Sequence, residues 1–110
     1  MHPEVYIFAQ MKVKDYSDYF SQYGAPFMDI IKKFEGKVLA ATKNGKVLEG
    51  APFGNWTVLL KFPSKEKAYG FISSEEYAPL IDLRVNELTQ GGRSYIFPSE
   101  IAEISEAKHN

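Results

Sequence analysis

The chain contains no cysteine, which excludes disulfides, thiolate catalysis and cysteine metal sites together and fits a reducing compartment. Histidine is almost as scarce. His2 and His109 stand at the two ends, where disorder is the default, so neither is credited as a general base or metal ligand. An excess of charge of one sign is also missing. Thirteen basic and fourteen acidic side chains leave a formal net charge of -1, which offers no broad attraction for nucleic acid or an anionic membrane. No apolar run approaches the ~20 residues that span a bilayer. The opening Met1-His2-Pro3-Glu4 lacks a charged region, an apolar core and a cleavage site, so a cytoplasmic location is expected. Neither a nucleophile paired with a base, nor a phosphate loop, nor an internal repeat is present, and no metal or cofactor is expected.

What is present is a patterned chain of 110 residues, the size of one domain, with residues 1–98 read as that domain and 99–110 as a polar tail. Folding at this length buries roughly 65% of the unfolded surface, a single core with little to spare. Residues 4–11 alternate Val5, Ile7, Ala9 and Met11 with Tyr6, Phe8 and Gln10, a strand apolar on both faces. Asp15 reads as an N-cap with Asp18 three residues on. Tyr16, Tyr19, Phe20, Tyr23, Phe27, Ile30, Ile31 and Phe34 then recur at helical spacing, with Gly24 and Pro26 predicting a kink and Glu35-Gly36 the end. A second strand is expected over 37–43, turned back by Asn44-Gly45 so that 47–50 returns beside it. Asn55 to Phe62 alternates into another strand. Ser64 caps a helix over 65–73, and Ser74, Glu75 and Glu76 open a further helical piece through Leu88. Gly91-Gly92 ends that piece, 93–97 forms the last strand, and Ile101 and Ile104 are expected to dock as one turn.

The order β-α-β-β-α-β predicts a ferredoxin-like α+β fold, an antiparallel sheet with two helices on one face. The other face would leave Tyr, Phe and Leu side chains wet, so a homodimer packed sheet on sheet is expected.

Arg84 is the leading site candidate. Tyr77, Ile81, Arg84 and Leu88 fall at i, i+4, i+7 and i+11 and place a guanidinium on an apolar stripe. Glu49 is the carboxylate expected to meet it, either as an architectural ion pair or with Arg84 anchoring an anionic or carbonyl ligand that Glu49 orients. Of seven tyrosines, Tyr19 and Tyr77 are assigned to a cleft and most of the others to core and interface. Ser73-Ser74 reads as a helix cap, since no histidine is near to activate a nucleophile. One competing motif is Lys67-Ala68-Tyr69-Gly70-Phe71-Ile72-Ser73-Ser74, which partly matches the RNA-recognition octamer. Base stacking requires Tyr69 and Phe71 on one face of a strand, whereas a helix turns them roughly 200° apart. The Ser64 cap and the net acidity favour the helix, leaving RNA binding as a remote alternative and no nucleic-acid partner expected.

Leu48-Glu49-Gly50, Lys61-Phe62-Pro63-Ser64, Ala68-Tyr69, and Ser74-Glu75-Glu76-Tyr77 to Arg84, taken with the tyrosine-bearing first strand and helix, resemble the domain-of-unknown-function 1330 family. The likeness covers about residues 4–97. That family belongs to the dimeric α/β barrel superfamily, so the resemblance implies a ferredoxin-like subunit that pairs through its sheet and leaves a cleft between helices and sheet. By superfamily analogy it further implies cofactor-independent oxygenation or isomerisation of a small aromatic or carbonyl compound, with a non-catalytic ligand-binding or structural dimer as the alternative. Some superfamily relatives degrade haem or oxidise quinols with Asn, Trp and His. Asn55-Trp56 echoes this and places Trp56 among the ligand-binding candidates, while the lack of an internal His argues against the haem version. Two positions depart from the family pattern: Glu35-Gly36 replaces paired glycines, and Asn55-Trp56 replaces a basic residue before the third strand.

Overall fold

The structure, a computed structural model, describes residues 4–102. Four strands form one antiparallel sheet: β1 (Val5–Val13), β2 (Lys37–Thr42), β3 (Trp56–Phe62) and β4 (Thr89–Pro98), in the order β2-β3-β1-β4. This is the ferredoxin-like topology. Strict alternation makes β3 two-faced: Trp56, Val58, Leu60 and Phe62 are buried while Thr57, Leu59 and Lys61 are half-buried. Its partner β1 is in register, Ile7 opposite Leu60 and Ala9 opposite Val58. The two buried rows therefore coincide, and a one-residue slip would turn both to the wrong side.

Helices cover that buried side. Asp15 caps α1 (Tyr16–Tyr19), its carboxylate accepting the Asp18 N–H at 2.9 Å. The helix then widens through a π turn, Phe20–Gly24, into α2 (Ala25–Lys33). Pro26 carries no N–H and cannot complete an ordinary α turn, and the Ala25 N–H bonds the Phe20 carbonyl instead. The expected kink is thus a single-turn bulge. Glu35 adopts a left-handed φ of 60° as the chain leaves α2, and the Gly36 N–H bonds the Ile31 carbonyl at 3.0 Å. Gly36 is required for contact rather than conformation, because a Cβ there would lie 2.5 Å from Ile31 Cγ1 and 2.6 Å from Phe62 Cε2. Ser64 caps α3 (Lys65–Ile72), accepting the Lys67 N–H at 3.1 Å. This helix sends Ala68 and Phe71 into the core with fully buried Phe62, and burial of each large side chain stabilises the fold by about 1.5–3 kcal/mol. Because 65–72 is helical and Phe71 is buried while Tyr69 is exposed, these rings cannot form a base-stacking surface. The next helical piece begins later than expected, as α4 (Ala78–Leu83) followed by a second π turn, Arg84–Leu88.

Three expectations need correction. The Asn44-Gly45 hairpin does not form: β2 stops at Thr42, whose hydroxyl accepts the Asn44 N–H at 3.0 Å, and 43–55 crosses to β3 without a strand. β2 is the sheet edge, so a return over 47–50 would have no core to pack on, and Leu48 is 98% exposed. Second, Gly91 and Gly92 lie inside β4, which is ten residues long. Gly91, at φ 111°, supplies the extra residue of a bulge between the pairs Met11–Gly92 and Val13–Thr89, and glycine reaches that conformation without cost. Third, Ile101 is 91% exposed and does not dock. Ile104, His2 and His109 lie outside the described residues.

Among the described residues, no element covers the sheet face opposite the helices. Tyr6 and Phe8 on β1 sit against Phe97 and Tyr95 on β4, ring centroids 5.6 and 5.9 Å apart. Leu39 of β2 and Leu59 of β3 continue this apolar surface; Leu39, Tyr95 and Phe97 are exposed and Leu59 is half-buried. No helix of the described residues is long and apolar enough to cross a membrane.

Candidate functional site

Between the helices and the sheet lies a cleft of about 720 Å³, within the range typical of small-molecule sites. Its floor is the inward row of the sheet, with Ile7 and Met11 from β1, Trp56, Val58 and Leu60 from β3, and Val38 from β2. Its roof comes from the helices. Tyr19, Tyr23 and Phe27 follow one another at four-residue intervals and stack, with centroids 5.1 and 5.5 Å apart. From the other side Phe71 stacks on Tyr77 at 4.2 Å. The mouth is apolar too, with Phe20, Met28, Ile72 and Val85 exposed around it.

Few polar groups interrupt these walls. The hydroxyls of Tyr23 and Tyr77 share a short hydrogen bond. Arg84 opens the second π turn, whose free carbonyl accepts the Thr89 hydroxyl at 2.8 Å, and its guanidinium lies 5.7 Å from the centre of the Tyr23 ring. The Arg84 Nε is buried without a hydrogen-bond partner, and none of the ion pairs among the described residues includes Arg84. Arg93, opposite Gln10 in the outward row of β4 with Tyr95 and Phe97, borders the cleft only at the strand edge, and its guanidinium stacks on Phe53, 4.3 Å from the ring centre. No aspartate, glutamate or histidine among the described residues lines it.

Burial pushes the Tyr19 hydroxyl up to about 12, with Arg84 opposing the shift. Burial, followed by the neighbouring Tyr77, lifts Tyr23 well above the ordinary phenol value. Burial works against the Arg84 charge, but the phenols of Tyr23 and Tyr77 more than offset it and hold its proton more tightly than usual. At neutral pH, then, Tyr19 and Tyr23 are proton donors rather than bases, beside a fixed cation.

Of the side chains singled out from the sequence, the fold brings Tyr19, Trp56, Tyr77 and Arg84 to one cleft. Glu49 is not among them. It sits on the exposed crossing 43–55 and makes no ion pair among the described residues, so the expected Glu49–Arg84 pair does not form, for the same reason that the hairpin does not: nothing folds that crossing back toward α4. Tyr23 and Arg93 were not singled out. Tyr23 was visible as the middle of the Tyr19, Tyr23, Phe27 series, whereas Arg93 pairs with Gln10 on the outward row and meets the cleft only at its edge. Asn55 turns out to be architectural. Its side chain accepts the Val13 N–H at 2.7 Å and donates to the Val13 carbonyl at 3.0 Å, and its own N–H bonds the Met11 carbonyl at 3.0 Å, which extends the β1–β3 pairing by one rung. The adjacent Trp56 is thereby set on the cleft floor, 5.2 Å from Phe20 and 6.0 Å from Tyr19 by ring centres.

Solved structures share this architecture. A protein of unknown function from Rhodopseudomonas palustris superposes with a TM-score of 0.75 at 12% identity, over 93% of this chain and 86% of that one. SnoaB, a cofactor-independent oxygenase from Streptomyces nogalater, gives 0.60 at 12% identity over 92% and 97%. An uncharacterized NIPSNAP-like domain protein from Burkholderia xenovorans gives 0.56 at 11% identity over 93% and 90%. At such identities the likeness is one of fold. No curated protein matches the chain. A family model matches residues 4–91, most of the sheet and all of the helices that build the cleft, and the chain therefore belongs to the family described as Domain of unknown function (DUF1330).

Proposed function

We propose that this chain is a small-molecule-binding protein that works as a homodimer, taking a small aromatic or carbonyl compound into the cleft between helices and sheet. The observation that carries this reading is Arg84: a guanidinium with a buried, unpartnered Nε on the wall of an otherwise aromatic cleft. Leaving such a group unsatisfied costs about 1–3 kcal/mol or more, and a ligand oxygen would recover it. Support for the dimer comes from the uncovered face, where Tyr6, Phe8, Leu39, Tyr95 and Phe97 make an aromatic surface that a second copy would bury symmetrically.

Two chemical outcomes fit the cleft. Cofactor-independent oxygenation, or isomerisation, draws support from the fold shared with SnoaB, as an analogy of fold. Non-catalytic binding draws support from the lack of any carboxylate or imidazole on the cleft wall to act as a base. Screening small aromatic and carbonyl compounds by thermal shift, followed by oxygen uptake and chromatographic product analysis on those that bind, separates the two. Under the first, a compound is converted, with oxygen consumed for an oxygenation and none for an isomerisation, and Arg84→Met abolishes the conversion while the dimer stays folded. Under the second there is no conversion, and the substitution only weakens binding. If no compound raises the melting temperature of the wild-type protein, the binding reading itself fails.

A further inference from the structure

We propose that the cleft binds its ligand as an anion, specifically an aromatic compound whose acidic hydroxyl or enol is held deprotonated, its oxygen facing Arg84 and the Tyr23–Tyr77 hydroxyl pair. The inference deepens the binding reading above and rests on it. Three independent observations lead here. First, the chain has more acidic than basic side chains, yet the charged side chain that the cleft wall carries is a cation, Arg84, and no carboxylate among the described residues lines it. The local field is therefore positive in a protein that is net negative, and walls of low polarity concentrate that field on whatever enters. Second, that cation is not fully engaged: the hydroxyls of Tyr23 and Tyr77 hydrogen-bond its guanidinium but leave a buried Nε–H with no acceptor. Third, each of those hydroxyls carries one hydrogen and their mutual bond uses one of the two, so the pair keeps one O–H to donate outward. The Arg84 Nε–H and the remaining phenol O–H are thus two donors open to a ligand oxygen, against walls made of Phe27, Phe71 and Trp56 that accept a flat ring.

This arrangement also removes the need for a base on the cleft wall. An acidic phenol or enol exchanges its proton with water, and binding draws the ionised form out of that equilibrium, so the protein need only stabilise the anion. The charged and titratable groups on the wall are Arg84, Tyr19, Tyr23 and Tyr77, with Arg93 at its edge, and no carboxylate among the described residues stands there to oppose the ligand.

The test uses 4-nitrophenol, whose phenol and phenolate forms absorb at different wavelengths, titrated across pH in the presence of the full-length protein. The expected result is that bound probe ionises at a pH lower by about one unit or more, a tenfold preference for the phenolate. Arg84→Met should abolish the shift and Arg84→Lys should keep part of it, with melting curves verifying that both variants are folded. Nitrobenzene, the neutral analogue, should bind about tenfold more weakly by calorimetry. A bound probe that ionises at the same or a higher pH, or nitrobenzene binding as tightly, overturns the anion inference and leaves the cleft as a binding site. If neither probe binds, nor perturbs the fluorescence of the single tryptophan on the cleft floor, the inference falls together with the binding reading.

Discussion

Glu35 occupies a left-handed conformation, φ 60°, that glycine reaches freely, and its only ion pair among the described residues is an exposed one to Lys67 at 3.0 Å. An exposed pair is worth little, so Glu35→Gly should raise stability by about 0.5–1 kcal/mol, read as a higher urea midpoint at unchanged slope. Its neighbour behaves oppositely. Gly36→Ala would press a methyl into Ile31 and Phe62 and should destabilise by about 1–3 kcal/mol. The buried phenols give a pH dependence with a fixed sign. An unfolded tyrosine loses its proton near 10.0, while folded Tyr19 keeps it to about 12 and Tyr23 beyond the ordinary value. The unfolded state thus binds fewer protons in that window, and stability that is complete below pH 10.0 declines as the pH rises toward about 12. Phenolate absorbance should accordingly report these two side chains ionising only with unfolding. Early, reversible ionisation of all seven would contradict it.

Among the elements, those with a regular pattern were legible before any coordinates: β1, β3 and α3 follow from alternation or helical spacing plus the caps Asp15 and Ser64, whose hydrogen bonds are present. What escaped depends on contacts distant in sequence. Asn44-Gly45 has strong local turn chemistry, yet a hairpin there would extend a sheet edge over nothing, so 43–55 runs to β3 instead. The bulge that admits Gly91 into β4 exists only because Met11 and Val13 stand opposite. The candidate site divides along the same line. Tyr19, Trp56, Tyr77 and Arg84 lie on elements whose faces can be read from periodicity, whereas Glu49 lies on the crossing, where no period constrains it. Asn55 shows how tightly that crossing ends. Asn55→Ala should cost about 1–3 kcal/mol by leaving the Val13 amide and carbonyl without partners, measured by denaturant unfolding, and Asn55→Asp should lose part of it by removing the donor to the Val13 carbonyl.

At the scale of the fold, one sheet face is closed by helices around an open cleft and the other is bare among the described residues. If a second copy covers the bare face, sedimentation equilibrium should give a dimer, and Phe97→Lys with Tyr95→Glu should yield a folded monomer; a wild-type monomer at micromolar concentration would contradict the assembly. The cleft claim turns on whether Arg84 serves the fold or a ligand. Breaking an architectural ion pair by removing one partner costs about 3–5 kcal/mol, whereas Arg84 is in no ion pair among the described residues and is held by the hydroxyls of Tyr23 and Tyr77, so that relief of its desolvation offsets the hydrogen bonds lost when it is removed. The deciding measurement is the unfolding free energy of Arg84→Met beside wild type, both without ligand. The account predicts a value unchanged or higher, and a loss of about 3 kcal/mol or more would show that Arg84 holds the protein together rather than waiting for something to bind.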